Sequence, residues 1–342
     1  MTPGSIMLSS KQGGIALVGA LVLQPQIAAF FTLNSISALA WKWLVLLALA
    51  FWIGMLLSEG VILHSVARAS SLLARAQRQT RPLRWLCMAA LFVGNIVALI
   101  LRAAQLTAAP NFTTMEHILL TPPYGLIWLA RVGLIALAAG LTLWVRQARR
   151  SASVAGLILA ALILLTLVLS SDAGAAALTW LALAAQLTWF GIVCYLTYIL
   201  LPLLRNIEPD RHAETLIELL RRLYPLLLGV ASVLLVSNSF ESESFPGTIA
   251  QFAASTQGQI QLAQWLLIVV MLAVGGYALF VLRPRVARQA AVLPIVNAEL
   301  PARRTRQSAL AQTTRALRRT SMLSSWLGAL VLLCAALLAV RG

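Results

Sequence analysis

Charge is what this sequence has least of. Only 11% of its 342 residues are Asp, Glu, Lys or Arg, and 60% are hydrophobic. A soluble domain carries about a quarter charged residues. The apolar excess cannot fit inside one core, so a water-soluble globule is excluded and lipid must be part of the solvent. Acidic residues are scarcer still: 10 against 26 basic ones, a formal charge of +16. In a soluble chain that imbalance would point to nucleic acid. Here the arginines lie between apolar runs, where they act as topology determinants facing anionic lipid, and nucleic acid is not an expected partner. Cysteine is limited to Cys87, Cys194 and Cys334, all within apolar runs and without CxxC spacing. That excludes a disulfide framework and leaves small buried apolar side chains. The three histidines, His64, His117 and His212, supply no intramembrane pair for haem. No P-loop, GxSxG, HExxH or CxxCH occurs, so neither an enzyme nor an organic cofactor is expected.

What the chain does have is long hydrophobic runs. Eight, near 41–64, 84–108, 125–146, 152–170, 179–201, 224–239, 260–282 and 323–340, approach the length a helix needs to cross a bilayer. Continuous apolar runs of this length exclude a β-barrel. The expected fold is all-α, a polytopic transmembrane bundle of eight or nine helices. Arginine alternates between the loops. Arg68, Arg75, Arg78, Arg81 and Arg84 fall in 65–84, and Arg146, Arg149 and Arg150 in the next turn but one. Arg205, Arg211, Arg221 and Arg222 fall in 202–223, and nine more in 283–320. The loops 109–124, 171–178 and 240–259 have no Lys or Arg. The basic loops are therefore expected on the cytoplasmic side. The opposite loops carry Glu116, Asp172, Glu241 and Glu243, a mildly acidic face. Segment 13–31, within an N-terminal stretch 1–40, reads either as a signal peptide or as a ninth helix broken by Gln24-Pro25-Gln26. The basic segment 283–320 suggests a surface helix over about 303–319 on the headgroups, or a basic tether.

The two halves repeat. At an offset of 137, Trp43, Leu44, Leu46, Ala48, Trp52 and Gly54 match Trp180, Leu181, Leu183, Ala185, Trp189 and Gly191. At 133, Gly125, Ile127, Leu129 and Ala130 match Gly258, Ile260, Leu262 and Ala263. Four helices per half give two parallel repeats, 41–174 and 175–342, related by an axis along the membrane normal. This predicts a pathway between the halves. The bland alternative is that Trp-x-Gly marks close helix packing with an interfacial aromatic.

Leu120-Thr121-Pro122-Pro123-Tyr124-Gly125-Leu126-Ile127-Trp128-Leu129-Ala130-Arg131 resembles the TpYGrlwllR start of a helix in the copper resistance D (CopD) family. Trp189-Phe190-Gly191 resembles that family's W-x-G helix, and 222–285, through Ser255-Thr256-Gln257-Gly258 to Arg283-Pro284-Arg285, its signature domain. The resemblance spans about 41–285 and rests on motif order and spacing. It implies a cytoplasmic-membrane permease or accessory protein in copper transport or resistance, beside a periplasmic or extracellular copper carrier, with copper as substrate. Two positions depart from the family: Ala182 stands where it usually has histidine, and Gln264 where it has a basic residue.

Copper favours His, Met and Cys. The candidate outward cluster is Met115, Glu116 and His117, although three adjacent residues rarely face one ion. Arg102 and Arg131 lie inside apolar runs, where an unpaired charge costs about 2.5–3.5 kcal/mol. They either line an aqueous vestibule with Glu116 or Asp172 as partners, or snorkel to headgroups. Glu59 is the intramembrane carboxylate, a proton or cation site by default, or else a salt bridge to Arg84. Met55, Cys87, Met88, Cys194, Met271 and Cys334 are soft side chains at membrane depth. Asn95, Gln105, Gln186, Asn238 and Gln264 suit interhelical hydrogen bonds. Besides copper, the residues admit a transporter of an anionic or organic solute, or a membrane scaffold without transport.

Overall fold

The computed structural model describes residues 33–64, 70–106, 112–144, 150–170, 176–204, 209–243, 254–292 and 300–341. The 13–31 segment lies outside them. The described residues form helices and short turns, with no strand. Helix α1 (Leu33–Leu57) runs on through a π-helical stretch, Ser58–Leu63. Helix α2 is Ser70–Leu106, α3 the short Phe112–Leu120, α4 Tyr124–Trp144 and α5 Arg150–Leu169. Helix α6 (Ala176–Tyr195) also passes into a π stretch, Leu196–Leu200, and ends in Leu201–Leu204. Then come α7 (Pro209–Glu243), α8 (Thr256–Tyr277, extended through Ala278–Leu282 and Arg283–Val292) and α9 (Leu300–Arg341). All except α3 carry one of eight spans long and apolar enough to cross a membrane, so the fold is an all-α polytopic bundle.

Three spans begin earlier than the apolar runs suggest, at Leu72, Glu214 and Ser308. The reason is helical periodicity. In α2, Leu72, Ala76 and Thr80 recur every four residues on a buried face, while Arg75, Arg78 and Arg81 lie on the exposed one. In α9, Leu310, Thr314, Leu317 and Ser321 recur every three or four residues on a buried face beside exposed Arg315 and Arg319. The expected surface helix at 303–319 is thus corrected. It is the first part of one unbroken 42-residue helix. At 1.5 Å per residue α9 is about 63 Å long, about twice the hydrocarbon thickness.

Two helices form the centre. The most apolar windows of α1 and α6 are 67% and 78% buried within the protein, against 17–39% for the other six. Their neighbours turn Leu86, Leu126, Leu137, Leu266, Phe280 and Trp326 outward, apolar surface suited to lipid. Helices α1 and α6 cross backbone to backbone. A Cβ on Gly54 would land on the carbonyl of Gly191, and one on Gly191 on the carbonyl of Ala50. Only glycine permits that approach. Trp52 and Trp189 are fully buried beside the crossing, not interfacial, and Phe51 meets Phe190 edge to face at 5.7 Å. The space between the halves, where a pathway was expected, is closed at this level.

The tryptophans nearer the helix starts tie the halves together. Trp43 Nε1 donates to the Ala329 carbonyl of α9 at 3.0 Å, and Trp180 Nε1 to the Ala161 carbonyl of α5 at 3.1 Å. Each therefore reaches the fourth long helix of the opposite half. The π stretches sit at corresponding places too, after Leu57 in α1 and after Tyr195 in α6.

Candidate functional site

Two polar clusters lie within the spans. The first is near the arginine-rich ends of the helices. Glu59 opens the π stretch of α1 and is 1% exposed. Thr80 Oγ1 donates to its Oε1 at 2.8 Å, and Arg84 forms an ion pair with Oε2. Thr80 and Arg84 stand four residues apart, so one face of α2 presents both. The Glu59–Arg84 pair named from the sequence therefore exists. Tyr195, from the centre of the other half, places its buried hydroxyl near the same carboxylate without meeting hydrogen-bond geometry. A charge buried alone is costly, whereas a paired one with its oxygens satisfied is tolerated. The π stretch matters because its extra residue shifts which side chains face α2.

The second cluster is at the opposite, arginine-poor end. Arg131 is 5% exposed and spans three helices. Its Nε donates to Thr166 Oγ1 at 3.0 Å, one terminal nitrogen to Asn95 Oδ1 at 3.3 Å, and the other to Ser170 Oγ at 2.8 Å and the Thr166 carbonyl. Trp128, one turn earlier on the same face of α4, donates its Nε1 to the Asn95 carbonyl at 3.1 Å. The Trp-x-x-Arg spacing thus makes two grips on one residue of α2. Every Arg131 acceptor is neutral. Neither Glu116 nor any other described carboxylate pairs with it, and Asp172 lies outside the described residues. Arg102, exposed on α2, lies over the Tyr124 ring at 5.7 Å from its centroid. Lys42, exposed on α1, donates to the Ala339 carbonyl and sits within electrostatic reach of Arg131 and Arg102. In the second half the position matching Arg131 is Gln264, buried, with its amide donating to Gln186 Oε1 at 3.4 Å.

Met115, Glu116 and His117 fall on α3, where successive side chains point about 100° apart. Met115 packs on the small apolar cluster of Leu99, Ala103 and Ile118. Glu116 is exposed, and His117 Nδ1 lies 3.3 Å from Thr121 Oγ1. The three are not brought onto one point. Among the described residues no three His, Cys, Asp or Glu side chains group as metal ligands. Met55, Cys87, Met88, Cys194 and Met271 are each buried, and Cys334 is half-buried. Asn238 spends its amide on its own helix, at the Leu234 carbonyl. Ala182 is a buried apolar residue.

Sequence reasoning missed Lys42, Thr80, Thr166, Ser170 and Tyr195. Lys42 had a signal, a lysine between Trp41 and Trp43 inside an apolar run. The four hydroxyl residues had none, because a hydroxyl at a span edge is common and only the fold shows what it faces.

The profile of a domain of unknown function, DUF4149, matches residues 182–292, from the middle of α6 to the end of the α8 extension. No curated protein and no solved structure shows significant similarity to the chain.

Proposed function

We propose that this chain is a multi-pass protein of the cytoplasmic membrane that handles copper in the manner of copper resistance D proteins. It acts as a permease or accessory protein beside an external copper carrier, with its arginine-rich helix ends in the cytoplasm. One observation carries the reading: the motifs behind the resemblance are the ones that hold the bundle together. Gly191 of the W-x-G motif meets Gly54 at the central crossing, and the Trp128–Arg131 face of the TPPYG-type helix grips α2 at Asn95. We read 41–174 and 175–342 as parallel repeats. The equivalent glycines touch, and Trp43 and Trp180 make reciprocal bonds to the opposite half. Contact between equivalent residues is what a two-fold axis requires. Copper would be taken from the carrier and stepped past buried soft side chains such as Met55, Cys87, Met88 and Met271.

The test is copper accumulation and copper tolerance in cells expressing the protein against a vector control. A difference in either is expected; identical values in both end the copper reading. A second reading, a scaffold without transport, is favoured by the closed glycine crossing. Recovery of a crosslinked partner, with no copper flux in reconstituted vesicles, is the outcome it predicts.

A further inference from the structure

We infer that Lys42, Arg102, Arg131 and Asn95 form a binding site for a phosphate-type oxyanion at the arginine-poor end of the bundle. The site stands whether or not the cargo is copper. Arg131 of α4 is bonded to Asn95 of α2, Arg102 of α2 lies over Tyr124 two turns from Arg131, Lys42 of α1 is within electrostatic reach of both, and no described carboxylate compensates them. Like charges at membrane depth repel strongly, since little water screens them. A bound counter-charge relieves that repulsion.

The surrounding bonds orient the group and leave its charge intact. Arg131 is held by two hydroxyls, one carbonyl and one amide oxygen, all neutral. Lys42 is anchored on a carbonyl in the last turn of α9, where the helix dipole favours a cation. Asn95, 4% exposed, spends its oxygen on Arg131, and its Nδ2 has no acceptor among the described residues. A buried amide donor beside a guanidinium lacks an acceptor atom, and an oxyanion supplies several. Arg102 and Lys42 are exposed, so the site opens outward from the buried Arg131. The exposed guanidinium of Arg102 favours phosphate over halide because its paired N–H groups match two oxygens. The second half has no equivalent: Gln264 replaces the arginine, and its amide is satisfied by Gln186.

The oxyanion is either free or carried on a lipid headgroup, and two probes separate these sources. The full-length protein in detergent is titrated with inorganic phosphate at constant ionic strength, following its melting temperature. In parallel, retained phosphatidylglycerol is counted by native mass spectrometry. A saturable response to phosphate marks a free anion, and selective retention of the lipid marks a headgroup; either supports the site. The Lys42→Gln/Arg102→Gln variant changes only exposed side chains. It should weaken the observed binding by at least about tenfold, the worth of one charge-assisted contact. Arg131→Lys, which keeps the charge but loses the bonds that fix it beside Asn95, should also weaken phosphate binding. No saturable response to either probe, or equal binding by wild type and the double variant, overturns the inference.

Discussion

Glu59 shows how one buried carboxylate ties two helices together. Its carboxylate is enclosed by groups from α2 and α6, and Arg84 neutralises it. Glu59→Gln leaves Arg84 without its counter-charge. Removing one partner of a buried pair costs about 3–5 kcal/mol. Arg84 is 21% exposed on its side chain, so water relieves part of that and the lower end is expected. Thermal unfolding in detergent should show the loss, and Glu59→Gln/Arg84→Gln should recover part of it. A double variant no better than the single one would show that the pair is not coupled. Any proton-coupled flux should also vanish in Glu59→Gln; persistence of that flux at the wild-type rate would remove Glu59 from the coupling step. At Arg131, the second half offers a natural comparison. Arg131→Gln reproduces Gln264 but has no facing glutamine, so Thr166 and Ser170 lose their charged donor. Stability should fall by about 1.5–3 kcal/mol, the range for hydrogen bonds to a charged group.

The element that defines the bundle is the α1–α6 crossing. Gly54→Ala and Gly191→Ala each put a methyl group into a backbone carbonyl, which cannot retreat like the end of a side chain. Both variants should melt well below wild type or fail to assemble. Gly140→Ala is the control, because a Cβ there meets nothing within 4 Å. It should melt at or above the wild-type temperature, since alanine is favoured over glycine inside a helix by about 1 kcal/mol. Equal behaviour of the three variants in size-exclusion and melting assays would contradict the crossing. Sequence alone made this element partly legible: the repeated Trp-x-Gly marked both helices, but no pattern showed that the glycines face each other. The boundaries at the arginine-rich ends were less legible. Hydropathy falls where arginines enter a helix, although the buried Leu310, Thr314 and Leu317 face of α9 continues through them. Arg102 and Arg131 were visible as charges in apolar runs, and Arg84 as the basic-loop arginine named as a partner for Glu59. Their hydroxyl partners were not, because Thr80, Thr166 and Ser170 become partners, and Tyr195 a neighbour, only through packing between helices.

At the scale of the whole molecule, the eight spans make a bundle with two unlike ends. One bears the guanidinium-rich helix extensions and the Glu59–Arg84 pair. The other bears Lys42, Arg102, Arg131 and the short α3. The proposed direction of copper handling and the exposure of the oxyanion site both depend on which end faces out. Single cysteines placed at Thr113 on α3 and at Gln307 on α9, in a background without Cys87, Cys194 and Cys334, test this directly with a membrane-impermeant thiol reagent on intact cells. The account predicts labelling at Thr113 in intact cells and at Gln307 only after lysis. Labelling of both positions from one side, or the reverse pattern, would contradict it.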